Sequence, residues 1–209
     1  MTFAVLTVHD LACERGERLL FRNLGFDLAN GEALLVRGGN GHGKTSLLRI
    51  LCGLSAPAAG DVRWQGKSIG KSHEQYGRQM AYIGHANGIK DDLTPVENLR
   101  LSAALGGRIL DLTAATTALD KVGLSRCMDI PARVLSFGQR RRVALAGLMT
   151  AGALLWILDE PLTGLDVHGV AMVEQMIRDH VVAGGMAIMT THQSIALDGL
   201  TPKTLSVGG

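Results

Sequence analysis

Apolar residues in this chain come in short bursts separated by glycine and polar turns, and the length and period of each burst predict its element. Glu32 to Arg37 (EALLVR) predicts a short buried strand, and Thr45 to Leu51 (TSLLRIL) the opening of a helix. Ahead of them, Phe3 to Val8 and Arg18 to Leu28 alternate with turn signals and predict a β-rich layer. Asp61 to Gln65 and Gln79 to Gly84 predict two further strands, separated by a polar stretch with Lys67, Lys71, His73 and Glu74. From Val96 to Val122 the period becomes helical, with Pro95 at a helix start, Leu99 and Ala103 on one face, and Gly106-Gly107 as a break. Leu154 to Leu158 is wholly apolar, as strands in the middle of a parallel sheet are. Val170, Val173, Ile177 and Val181 then share one face of a helix that ends at Gly184-Gly185, and Met186 to Thr190 predicts another buried strand. The β-α-β alternation predicts an α/β fold with a parallel-sheet core and an N-terminal β layer. A helical subdomain over roughly residues 86 to 150 is inserted in it, all within one unit spanning residues 1 to 209.

The longest apolar run, Val143 to Leu158, is 16 residues, is interrupted by Gly147, Thr150 and Gly152, and ends on Asp159 and Glu160. It is too short to span a bilayer, and a buried helix followed by a buried strand explains it better. The opening MTFAVLTVHD has no basic region before its apolar stretch, so no secretory signal is expected. Lys plus Arg number 21 against 19 Asp plus Glu, and this +2 balance gives no electrostatic footprint for nucleic acid. Cys13, Cys52 and Cys127 are odd in number and widely spaced, which suits reduced thiols better than a disulfide framework or a metal site.

Chemistry enters with GGNGHGKT, Gly38 to Thr45, between the strand at 32–37 and the helix at 45–51. In that setting Gly38, Gly39, Gly41 and Gly43 let the backbone curl so that N–H groups, with those of Asn40, His42 and Ser46 beside them, face phosphate oxygens, and the helix dipole adds positive potential. Lys44 is expected to reach the β and γ phosphates, and the Thr45 hydroxyl to coordinate Mg²⁺. Asp159 closes the apolar strand LLWIL and is followed at once by Glu160. Carboxylates at the end of a buried parallel strand stand where open α/β sheets place ligand chemistry. Asp159 is expected to hold Mg²⁺, directly or through water, and Glu160 to polarise the attacking water.

LSFGQRRRVALAGL, from Leu135, resembles the LSGGQ signature of ATP-binding cassette (ABC) ATPases, with Phe137 in place of a glycine. Ser136 can cap the following helix and offer its hydroxyl to a γ-phosphate, and Gly138 permits close backbone approach. Arg140, Arg141 and Arg142 are expected on a solvated helix face. Thr163-Gly164-Leu165-Asp166 matches the D-loop of this superfamily, and His192 in TTHQ its switch histidine, a sensor of the γ-phosphate. The resemblance covers nearly the whole chain and implies an ATPase using ATP and Mg²⁺, with Lys44, Glu160 and His192 catalytic. It also implies a head-to-tail homodimer in which Ser136, Gly138 and Gln139 of one copy complete the ATP site of the other.

Two positions depart from the common ABC pattern. Arg15 stands where an aromatic residue usually stacks on adenine; its guanidinium can stack on a purine, and a solvated turn residue is the alternative. His85 in YIGH stands where a glutamine usually links Mg²⁺ to the transmembrane partner; it is a candidate metal ligand, and an exposed loop histidine is the alternative. YIGHANGIKDDLTPVENL, LLWILDEPLTGLD and GGMAIMTTHQ, with the CERGERLLF opening, narrow the resemblance to the CcmA family of cytochrome c maturation haem exporters, which implies an ATPase cycle that supports haem export or delivery for c-type cytochrome biogenesis. That resemblance implies integral membrane permease subunits as partners, docked around Gly84 to Leu99, and a peripheral place on the cytoplasmic face of the bacterial inner membrane. An ABC subunit for another small molecule or lipid is the alternative. A soluble, non-transport ABC ATPase is disfavoured by the single cassette and the lack of a heptad run.

Overall fold

A computed structural model describes residues 4–208; the strand start expected at Phe3 lies outside the described residues. Two long strands, β1 (Ala4–Arg15) and β2 (Arg18–Ala29), form a hairpin, and β4 (Ala59–Trp64) and β5 (Lys67–Ser68) extend it into a four-stranded antiparallel sheet of order β2-β1-β4-β5. Leu6 and Val8 face the core, and so do Leu11 and Cys13 three residues on, which strict alternation would forbid. A bulge between Val8 and Leu11, with Asp10 at φ 47, restores the phase and keeps all four on one side.

The second sheet is parallel, in the order β6 (Met80–Ile83), β7 (Leu155–Asp159), β8 (Met186–Thr190), β3 (Ala33–Arg37), β9 (Lys203–Ser206). Every residue of β7 and β8 is buried because helices or strands cover both faces. Leu155, Ile157, Met186 and Ile188 join Leu47, Leu48 and Leu51 of α1 (Lys44–Leu51) and the inner face of the antiparallel sheet. The alternate residues Trp156, Leu158, Ala187 and Met189 meet α5 (Phe137–Thr150) and α6 (Val167–Val182) on the other face.

A third cluster lies among α3 (Pro95–Leu105), α4 (Leu112–Lys121) and α5, built on Val96, Leu99, Ala115, Leu119, Val143 and Ala146. The helical stretch expected over Val96 to Val122 forms two helices, separated at the expected Gly106-Gly107 break, where Gly107 turns at φ 71. α5 serves both bodies: Val143 and Ala146 face the helices, while Leu145 and Leu148 face the sheet. The polar stretch after β5 contains a short helix, α2 (His73–Gly77), anchored by buried Tyr76, whose hydroxyl donates to the Leu51 carbonyl at 2.7 Å. Among the described residues, no helix is long and apolar enough to cross a membrane.

Candidate nucleotide site at the strand ends

Strands β6, β7, β8 and β3 are neighbours and run the same way, so the loops after them meet along one edge of the sheet. A cavity of about 650 Å³ lies there, bounded by Gly39, Asn40, Gly41 and Gly43 to Ser46 after β3, His85 after β6, Asp159 and Glu160 from β7, and His192 after β8. Arg15, Arg18 and Leu20 from the β1–β2 hairpin close its outer side. The topology thus gathers residues that are up to 177 positions apart in sequence, Arg15 and His192, into one place.

The loop from Gly38 enters α1 through Gly43, which at φ 94 is left-handed and caps the helix without a side chain. A β-carbon there would lie 3.1 Å from the side chains of Leu20 and Phe21, so close packing adds to the conformational preference for glycine. The Lys44 ammonium donates to the carbonyls of Gly38 at 2.8 Å and Gly39 at 3.1 Å, which holds it curled along the loop. His42 does not line the cavity; its ring packs on the loop's own Gly39 and on Gly208.

Asp159 is 3% exposed, and both its oxygens are bound. Oδ2 accepts from the Thr45 hydroxyl at 2.9 Å and Oδ1 from the Thr190 hydroxyl at 2.7 Å. The same Thr190 oxygen accepts from the Glu160 amide at 3.0 Å, so one buried hydroxyl ties the ends of β7 and β8 together. Burial pushes the neighbouring Cys52 thiol up to about 12, with the Asp159 charge adding to the effect and Arg49 opposing it, so this thiol stays protonated. Glu160 adopts φ 52, a left-handed conformation that costs energy for any residue with a β-carbon. Its Oε2 accepts from the His192 amide at 3.2 Å, and its Oε1 is enclosed without a hydrogen bond, 3.4 Å from His192 Nε2.

Ser136, Gly138 and Gln139 do not line this cavity. They form the start of α5, where Ser136 Oγ accepts from the Gln139 amide at 3.2 Å and Gln139 Oε1 accepts from the Ser136 amide at 2.8 Å, a reciprocal cap. A β-carbon on Gly138 would sit 2.8 Å from the Gly164 carbonyl, and the Phe137 ring packs on Gly164. Asp166 caps α6 by accepting from the Gly169 amide at 2.8 Å and pairs with Arg142 Nη2 at 2.8 Å.

Arg141 overturns the expectation of a solvated arginine face. It is 1% exposed, and its guanidinium bonds to four main-chain carbonyls and to the Asn87 side chain. A planar fork of five donors can enter the interior only when such acceptors surround it, and the loops after β6 and β7 supply them. Sequence pattern missed this residue, since Arg140 and Arg142 beside it are partly exposed and pair with Asp91 and Asp166 at the surface. Thr190 and Arg18 were missed too; a threonine closing an otherwise apolar strand was the available signal for the first.

Residues 21–163 match the ABC transporter family. The chain is 51% identical over 198 residues to the cytochrome c biogenesis ATP-binding export protein CcmA of Nitrosospira multiformis, covering 95% of this chain and 96% of that one. The chain belongs to the ABC transporter family. A CcmA of Cupriavidus metallidurans is 44% identical with full coverage of both chains. Among solved structures, the ATP-binding subunit of an ABC transporter superposes with a TM-score of 0.87 at 24% identity, covering 98% of this chain and 86% of that one. A dimeric ATP-binding cassette in a post-hydrolysis state with ADP and Pi gives 0.85 at 20% identity, covering 97% and 94%. These two likenesses establish the ABC-type P-loop fold, with its antiparallel layer and parallel core. As an ABC member the chain is an ATPase.

Proposed function

We propose that this chain is the ATP-hydrolysing subunit of a membrane exporter that supports c-type cytochrome biogenesis, acting as a head-to-tail homodimer on the cytoplasmic face of the bacterial inner membrane. The observation that carries the reading is the convergence of Lys44, Thr45, Asp159, Glu160 and His192 on one cavity, in a chain about half identical to CcmA proteins over nearly its whole length. The named function of those relatives supplies the cytochrome branch of the proposal; the cavity supplies the chemistry.

Triphosphate binding follows from the loop. Phosphate oxygens replace the Gly38 and Gly39 carbonyls as partners of the Lys44 ammonium, and the α1 N-terminus adds N–H donors. The residues also fit Mg²⁺: the Thr45 hydroxyl and the Asp159 carboxylate are hard oxygen donors 2.9 Å apart at the cavity floor, with His85 on the rim. When bound, the ion neutralises charge that develops on the phosphates. Glu160 is the general base. Its Oε2 accepts from the His192 amide and its Oε1 lies 3.4 Å from the His192 imidazole, a pairing at the cavity wall that supports Glu160 as the acceptor of the attacking water's proton and His192 as its neighbour at the γ-phosphate. Arg15 and Arg18 on the hairpin are the groups available to stack on the base of the nucleotide.

Ser136, Gly138 and Gln139 lie away from the cavity of their own subunit, which supports their use in trans, on the nucleotide of a second copy. Transport requires a conduit from other polypeptides. A cleft of about 530 Å³ between β6 and helices α3 and α5, lined in part by Asn87, Ile89 and Leu99, supports docking of permease subunits around Gly84 to Leu99. The cellular test is deletion of the gene followed by haem staining of c-type cytochromes. Loss of haem-loaded cytochromes, restored by the wild-type chain and not by Lys44→Ala, is the expected result. Full loading in the deletion strain contradicts the cytochrome branch and favours export of another molecule.

A further inference from the structure

Arg141 is the most deeply buried charged side chain among the described residues, and it does not line the nucleotide cavity. Its Nη2 donates to the carbonyls of Asp159, at 3.0 Å, and Glu160, at 2.6 Å. Nε donates to the Pro161 carbonyl at 3.3 Å. Nη1 donates to the Gly84 carbonyl and to Asn87 Oδ1, each at 3.0 Å. The guanidinium therefore spans three consecutive residues of the loop that carries Glu160 and the residue on the N-terminal side of His85. It is delivered from α5, the helix that begins with the signature.

The arrangement has a physical purpose at Glu160. This residue sits at φ 52, a conformation that persists only where its surroundings impose it. Two bonds do so from opposite sides: Thr190 accepts from its amide and Arg141 donates to its carbonyl. Burial holds the guanidinium below its ordinary pKa, the nearby Asp159 and Glu160 charges oppose that shift, and the surrounding carbonyls satisfy its donors. Resting on the reading of Glu160 as the base, we propose that Arg141 is a positioning residue for ATP hydrolysis: it fixes the main chain of Glu160 so that the carboxylate meets the attacking water, and it locks that loop to the segment carrying His85 and Asn87. Asn87 also lines the cleft between β6 and α5, so the clamp joins the hydrolytic loop to the surface that faces the permease.

The test compares Arg141→Met and Arg141→Lys with wild type in steady-state phosphate release, mant-ATP affinity and thermal melting. Met removes all five bonds; Lys keeps the buried charge but, as a single ammonium, cannot satisfy acceptors on both loops. Because displacement of a reacting group by about 1 Å can cost about 100-fold, kcat is expected to fall by roughly 10- to 100-fold with nucleotide affinity and KM little changed. A side chain that merely maintained the fold would lower the melting temperature and leave kcat of the folded fraction intact. If Arg141→Met is insoluble, folded Arg141→Lys carries the test alone. Wild-type kcat in either folded variant, beside an inactive Glu160→Gln control, overturns the role of Arg141 only. Wild-type turnover in the Glu160→Gln control overturns the reading of Glu160 and the clamp with it.

Discussion

Thr190 shows how much a single hydroxyl can organise. It donates to Asp159 and accepts from the Glu160 amide, with no exposure to solvent. Thr190→Val keeps the shape and strands both partners. Leaving a buried polar group unsatisfied costs about 1–3 kcal/mol, so urea unfolding of this variant is expected to show a stability loss in that range or above it. Phosphate release should fall as well, since Glu160 loses one of the two bonds that impose its left-handed backbone. At this scale the sequence was an uneven guide. Lys44, Thr45, Asp159, Glu160 and His192 were legible because their spacing from glycine turns and apolar strands is local information. Arg141 was not, because its burial depends on carbonyls from two loops that only the tertiary fold brings around it.

Among the elements, α5 has the most connected position, shared between the sheet and the helices α3 and α4. Its reciprocal cap satisfies two N-terminal donors, and Ser136→Ala is expected to lower stability by about 1 kcal/mol in denaturant melts. α6 carries a second device: His180 stacks on Trp156 with ring centroids 3.9 Å apart, and its Nε2 lies 3.2 Å from the carbonyls of Leu154 and Met186. Burial holds this imidazole below its ordinary pKa although those carbonyls oppose the shift. The folded state therefore binds fewer protons than the unfolded chain as pH drops past an unfolded value of about 6.5. Stability is complete above that value and declines below it, and His180→Gln should flatten the fall of the urea midpoint between about pH 7 and pH 5. Elements with a strong period or a fully apolar run were readable in advance. β9 was not: its Lys203 and Thr204 are exposed at the sheet edge, and the strand is fixed by pairing with β3 and by the 2.6 Å ion pair of Lys203 with Glu32.

At the level of the whole molecule, the cavity residues gather at the strand ends, and the start of α5 carries groups that do not line that cavity. The fold class and the α/β order were legible because glycine-bounded apolar bursts specify them. The separation of signature from cavity was legible only through resemblance, since no local pattern encodes a distance between two loops. Mixing Ser136→Arg subunits with Lys44→Ala subunits should restore one competent composite site per mixed dimer. Phosphate release from the mixture no greater than that of either variant alone would rule out the trans arrangement.

The central claim is that Glu160, at the end of β7, is the base for ATP hydrolysis in this cavity. Glu160→Gln keeps the shape of the side chain and removes its ability to accept the water's proton, so phosphate release by the purified protein is expected to drop by about 10²- to 10⁴-fold while mant-ATP binding is retained. Wild-type phosphate release by this variant would contradict the account.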